Sequence, residues 1–334
     1  MRVETSVTAL SWIPSEALPS GMRLPFDWGV THYDAPPPDR IEDLDALRQA
    51  DRFRFANRLS VWAEVEDGRI VSHGRAGGGL IGSTTVRLAR RDLVFTAYPL
   101  PDLCPEPEVT ATSVRFTQTA GGRAGLPFPR PVDEPPHVRL VPPFAWTTVA
   151  VTIHADGRTE RELCGASTFP RHWVYDEDGH LTHKSAAIDF IAWARRGSAE
   201  STPWGGQDSS ALMSAAESAL ERELSRSLMR GRGKPAIRKL RVGEVLVQQH
   251  DAGNELFLLL DGVLTVSVDG EPLAEVGPGA ILGERALLEG GHRTSTLTAV
   301  TRCKVAVVPA ADIDPAILTE ISTGHRREDE ARSS

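Results

Sequence analysis

The chain has 334 residues, of which 40% are hydrophobic and 25% charged, and its formal net charge is −8. That balance describes a folded globular protein of about two domains and excludes disordered and fibrous classes. An acidic chain with no basic excess in either half does not suit nonspecific nucleic-acid binding, and no apolar run approaches the ~20 residues of a bilayer span.

Met1 to Gly21 holds Glu4 and two prolines where a secretory leader needs a basic start and a long apolar stretch, so a cytoplasmic protein without membrane insertion is expected. Up to about Asp39 the sequence is Pro-rich and irregular, with Trp12 and Trp28 as anchors onto a later core. Ile41, Leu44, Leu47 and Phe53 lie near helical spacing, which predicts a short helix within Arg40–Arg58. The period then changes. Leu59–Val65 alternates, Glu66-Asp67-Gly68 supplies turn residues and Arg69–His73 resumes an extended run, together a β-hairpin. Val86–Tyr98 and Val109–Gln118 are strand-like, and a second hairpin is expected at Trp146–His154 and Arg158–Cys164. Gly77-Gly-Gly79 and Gly121-Gly-Arg-Ala-Gly125 lie outside the strand–turn–helix setting of a nucleotide loop and read as bends or bulges. Prolines clustered at 99–107, 127–136 and 142–143 make rigid connections.

Residues 1–205 therefore read as one β-rich domain of unknown function. They offer polar residues but no catalytic constellation. His172, Trp173, Tyr175 and Asp176 suit an aromatic packing corner, and Asp176–Gly179 suits an acidic turn, with cation binding as the sharper alternative. The cysteines Cys104, Cys164 and Cys303 are too far apart for zinc and odd in number, which fits reduced, idle thiols.

From Asp208 to Arg230 the leucine and alanine positions 212, 216, 220, 224 and 228 recur four apart, predicting a helix that Gly231, Gly233 and Pro235 end. We read 206–233 as this connecting helix. Its apolar stripe could meet a protein partner or a second copy of the chain. After it, short apolar strands punctuated by glycines at 243, 253, 262, 270, 277, 279 and 283 predict an antiparallel β-roll over 234–322, with a charged tail at 323–334. The fold class is thus mainly β with some α.

One stretch carries chemistry. Gly283 lets the backbone approach a ligand closely, a short helix is expected to begin at about Glu284, and Arg293 follows a Gly-Gly turn that can fold it back over that start. A guanidinium suits phosphate oxygens, whereas the Glu284 carboxylate repels phosphate and accepts from a hydroxyl. A ligand with both a phosphate and a free ribose hydroxyl meets both needs.

This stretch resembles the phosphate-binding cassette of cyclic nucleotide-binding domains, whose pattern Gly-Glu-x-Ala-Leu, turn, Arg-x-Ala/Ser is matched by Gly283, Glu284, Ala286, Leu287, Arg293 and Ser295. The likeness extends over about 237–320. The resemblance implies that Glu284 binds the ribose 2′-hydroxyl, Arg293 the cyclic phosphate, and the backbone N–H groups of Gly283, Ala286 and Thr294 complete the cradle. Leu282 stands in place of a common Phe. Arg285 replaces a common aliphatic residue and either faces solvent or adds charge beside the pocket. Thr294 permits guanine without selecting it, so the implied ligand is cAMP or cGMP, with no other cofactor. Metal-binding cupins, the other roll considered, need clustered histidines, and His250 and His292 stand alone.

Only 25 residues follow Pro309, too few for the helix-turn-helix that follows the roll in transcription factors of this family, so no nucleic-acid partner is expected. Three readings stay open: a cytoplasmic cyclic-nucleotide sensor or regulatory module, an enzyme or carrier in residues 1–205 regulated by the roll, and an interaction protein with a vestigial roll. In the family, flanking helices repack on ligand capture, which implies altered amide protection at 208–230 and 311–322 as well as at 283–296.

Overall fold

Both hairpins expected from the alternating segments are present in the computed structural model, and both are longer than their period-two cores. The structure describes residues 1–14, 34–81, 83–88, 91–96, 98–123, 128–131, 138–141, 144–195, 202–205, 213–215, 235–288 and 291–310. The chain divides into two compact units, Met1–Leu212 and Met213–Ser334.

In the first unit, strands Phe55–Glu66 and Arg69–Ile81 form one hairpin, Phe144–His154 and Thr159–Ala166 the other. Each nucleates an antiparallel sheet. The first sheet runs Leu181–Ser185, Arg171–Tyr175, Arg2–Trp12, Phe55–Glu66, Arg69–Ile81 in spatial order, and the second runs Thr159–Ala166, Phe144–His154, Ser113–Arg123, Tyr98–Pro99. Leu59, Val61, Ala63 and Val65 are buried while Ser60, Trp62 and Glu64 are half-buried, as expected of a strand with one face on a core. Leu10 and Trp12 are buried on the opposite face of their strand by Leu44, Phe53, Trp173 and Tyr175.

A polar clasp crosses from the first sheet to the second. The Asn57 amide donates to the Gln118 and Thr147 carbonyls (3.2 and 2.9 Å), and Gln118 Nε2 donates to Asn57 Oδ1 (2.7 Å). Asn57 is fully buried, so these partners satisfy groups that would otherwise cost stability.

The helix predicted within Arg40–Arg58 is shorter than its periodicity implies. It spans only Leu44–Gln49, capped by the Asp43 carboxylate accepting from the Ala46 N–H at 2.9 Å. Asp51 adopts a positive φ of 51°, and the chain then turns extended because Arg54 is captured elsewhere. Its N–H donates to the Ser11 carbonyl (2.8 Å), and its guanidinium forms a buried two-pronged ion pair with Asp34 (Nη2–Oδ1 2.7 Å, Nε–Oδ2 3.1 Å). Gly77-Gly-Gly79 and Gly121–Arg123 lie inside strands. The sheets meet closely at Gly79: a Cβ there would sit 3.1 Å from that of Ala120.

Within the span predicted as the connecting helix, Met213–Ala215 form a short strand rather than helix; the rest of 208–230 lies outside the described residues, as do Trp28 and 311–322. No helix among the described residues is long and apolar enough to cross a membrane.

The second unit holds the predicted roll. Eight strands form two four-stranded antiparallel sheets, ordered Ala236–Leu240, Cys303–Pro309, Glu255–Asp261, Ile281–Leu282 and Val245–Val247, Thr296–Ala299, Leu264–Val268, Glu271–Val276. Leu240, Leu246, Phe257, Leu259, Leu264, Leu297 and Val305 make one core cluster of the roll. Leu256, Leu258 and Leu260, alternating with them, join Ile281, Ala306 and Val308 in a second, against which Leu287 packs. The Glu255–Asp261 strand is therefore buried on both faces, which its unbroken apolar run Leu256-Phe-Leu-Leu-Leu260 encodes.

Candidate functional site

The site forms where that doubly buried strand meets the glycine-rich turn. Pairing of Phe257 with Leu282 and Leu258 with Ile281 brings Gly283 beside Glu255. Gly283 has φ +92°, and a Cβ there would stand 2.5 Å from Arg293 Nη1 and 3.0 Å from the Glu255 carbonyl oxygen. The predicted helix starts at Glu284 and runs to Leu288. The Gly291 N–H donates back to the Ala286 carbonyl (2.7 Å), so the chain reverses and delivers Arg293 to the helix start.

Arg293 is fixed at both ends. Its N–H donates to the Asp251 carbonyl and its own carbonyl accepts from the His250 N–H, both at 2.8 Å. The side chain is 4% exposed. Nη1 donates to the Glu255 carbonyl (2.9 Å) and lies 3.5 Å from the Gly283 carbonyl, while Cζ stands 4.9 Å from the centroid of Phe257. Nε is buried with no hydrogen-bond acceptor among the described residues. Burial pushes the guanidinium pKa down, and the negative charges of Glu255 and Glu284 push it back up. An arginine remains a cation under such opposing effects. The arrangement is a desolvated cation, held by backbone carbonyls and a ring face, with donor capacity left over. That is the chemistry of an anion receptor.

Of the residues singled out in the sequence, Gly283 is in direct contact with the guanidinium, and Glu284 acts on it through its charge. Glu284 is 6% and Ala286 1% exposed. Arg285 and Ser295 are half-buried and Thr294 is exposed; none of the three takes part in the hydrogen bonds of Arg293. Gly253, Phe257 and the Glu255 carbonyl were not legible as site elements, because only the strand pairing and the return of the chain bring them to Arg293.

The first unit contains no comparable constellation among its described residues. His172, expected in an aromatic corner, is buried between Ser11 and Ser167, whereas Trp173 and Tyr175 point into the cluster with Trp12. The Asp176 carboxylate accepts from the Asp178 and His180 N–H groups (3.1 and 2.8 Å), closing its own turn. No group of three or more metal-ligating side chains occurs among the described residues. An open depression of about 400 Å³ is lined by Arg2, Glu4, Thr5, Trp62 and Glu177 among others. Its charged groups are already paired, Arg2 with Glu4 and over the Trp62 ring, Glu177 with Arg161.

Comparison with known proteins locates the likeness in the second unit. Residues 237–320 match the family model described as the cyclic nucleotide-binding domain. A cGMP-dependent protein kinase of Plasmodium berghei (strain Anka) is 39% identical over 69 residues, 20% of this chain and 8% of the kinase. A cyclic nucleotide-gated potassium channel of Rhizobium etli is 31% identical over 70 residues, 21% of this chain and 19% of the channel. The matched stretch is thus a small part of each relative. Among solved structures, the N-terminal domain of a transcriptional regulator from Streptomyces coelicolor A3(2) aligns with TM-score 0.25 at 27% identity, covering 35% of this chain and 86% of that one. A cyclic nucleotide-binding-like protein from Brucella abortus aligns with TM-score 0.23 at 26% identity, covering 30% and 84%.

Proposed function

We propose that the chain, whose residues 237–320 match the cyclic nucleotide-binding domain, is a receptor for cAMP or cGMP in which the roll acts as a sensor module for the rest of the protein or for a partner. The observation that carries this reading is Arg293, a nearly buried cation with an orphaned Nε beside the carboxylate of Glu284. A cyclic phosphate supplies the missing acceptor. The Glu284 carboxylate accepts from the ribose 2′-hydroxyl, and the N–H groups of Gly283, Ala286 and Thr294 close the cradle around the phosphate. Arg285 and Ser295 border this pocket and complete the proposed ligand-binding set.

Calorimetric titration of the whole chain with cAMP and cGMP tests the reading; no heat of binding with either ligand would sink it. The role of Glu284 has its own signature. Wild type is expected to prefer the ribose form over the 2′-deoxy form by roughly tenfold or more, the range for a hydrogen bond to a charged group. Glu284→Ala loses most of that preference. Equal affinity of wild type for both ligands would remove Glu284 from this role.

A further inference from the structure

Gly253 lies outside the Gly-Glu…Arg segment, yet it faces the guanidinium more closely than any other described glycine. A Cβ built on Gly253 would fall 2.1 Å from Arg293 Nε, 2.3 Å from Cζ and 2.8 Å from Cδ. These three nearest atoms all belong to one side chain. The approach is set by backbone: the Gly253 N–H donates to the Gly291 carbonyl (2.8 Å), and Ala252 bridges to His292. Segment 250–253 and segment 291–293 are thereby tied side by side, and Arg293 leaves the second across the first. Phe257 supports the guanidinium carbon, and the Glu255 carbonyl anchors Nη1.

We infer that Gly253 is a positioning residue: its missing side chain, with the Phe257 ring, lets the Arg293 guanidinium lie against the 250–253 segment with Nη1 on the Glu255 carbonyl, the pose in which it meets an anion. This rests on the anion-receptor reading of Arg293 proposed above. Gly253 keeps an ordinary backbone conformation, since its φ lies outside the left-handed region. Alanine there is therefore free of left-handed backbone strain, and the three atoms nearest its methyl all belong to the Arg293 side chain. The substitution acts through Arg293 or not at all.

The test is a double-mutant cycle on the full chain. Gly253→Ala is expected to weaken cAMP or cGMP binding about tenfold to a hundredfold, the loss of one charge-assisted hydrogen bond. The preference for ribose over 2′-deoxyribose persists, because Glu284 is untouched. In the Arg293→Ala background, Gly253→Ala adds nothing further, in binding or in thermal stability. A general packing role would instead give additive losses, and additivity overturns the inference. A second readout needs no ligand: with Cζ 4.9 Å from the Phe257 centroid, the wild-type Arg293 Nε–Hε resonance is expected to be displaced by the ring and to move toward that of a free arginine in Gly253→Ala. An unmoved resonance also overturns the inference, so it is decided even where wild type binds neither nucleotide, the outcome that sinks the receptor reading instead. Should Gly253→Ala fail to fold alone, folding of the double variant would locate the collision at Arg293, and failure of both would refute it.

Discussion

Arg293→Ala is expected to lower the affinity for cyclic nucleotide by roughly 2–5 kcal/mol, about thirtyfold to several-thousandfold, the range for truncating one partner of a desolvated charge pair. The size follows from burial. At 4% exposure the guanidinium has already given up most of its water, so a phosphate pays little further to reach it and loses much when it is gone. Removal also leaves the charges of Glu255 and Glu284, which now act on Arg293, unopposed beside the phosphate. Salt should screen this contact far less than a surface pair. Arg293→Lys should recover only part of the loss, because an ammonium lacks the planar fork that reaches a carbonyl and a phosphate together. Calorimetry on the folded variant checks the size, and an affinity within twofold of wild type would remove Arg293 from the site.

How much of this was legible beforehand depends on how local each feature is. The roll was readable because its turns, its leucine-rich central strand and the nine-residue step from Glu284 to Arg293 are all short-range patterns. The short helix within Arg40–Arg58 is present but stops earlier than the spacing of Ile41, Leu44, Leu47 and Phe53 implies, because Phe53 keeps that spacing for a different reason. Leu44 and Phe53 both join the cluster with Trp12 and Trp173, but only Leu44 does so from a helix. Tertiary capture of Arg54 by Asp34 and Ser11 overrides the local period. The Asn57–Gln118 clasp joins residues 61 apart and the Ser11–His172 contact residues 161 apart, so no window of sequence contains either. Phe257 is core, and that its ring also supports Arg293 follows only from strand pairing.

That Ser11–His172 contact carries the largest expected effect in the first unit. His172 is 1% exposed; Nδ1 accepts from the Ser11 hydroxyl (2.7 Å) and Nε2 donates to the Ser167 carbonyl (2.8 Å), a complete set for the neutral ring. Burial pushes its pKa down to about 4, the Ser167 carbonyl opposes this, and the neighbouring Arg171 charge adds to the lowering. Above pH ~6.5 the ring is neutral in both folded and unfolded chains and contributes no pH dependence. Between pH ~6.5 and 4 the unfolded chain binds a proton that the folded chain refuses, so stability falls as pH falls; below 4 both are protonated and the loss stops. The depression amounts to on the order of 3 kcal/mol. All seven tryptophans precede residue 205, so tryptophan fluorescence during urea unfolding reports the first unit alone. His172→Gln keeps an N–H for Ser167 but cannot titrate. It is expected to start less stable at pH 7.5 and then to lose about 3 kcal/mol less than wild type on acidification to pH 4. Parallel stability curves for the two proteins across that range would show that His172 carries a proton as easily folded as unfolded, and the buried neutral imidazole would be wrong.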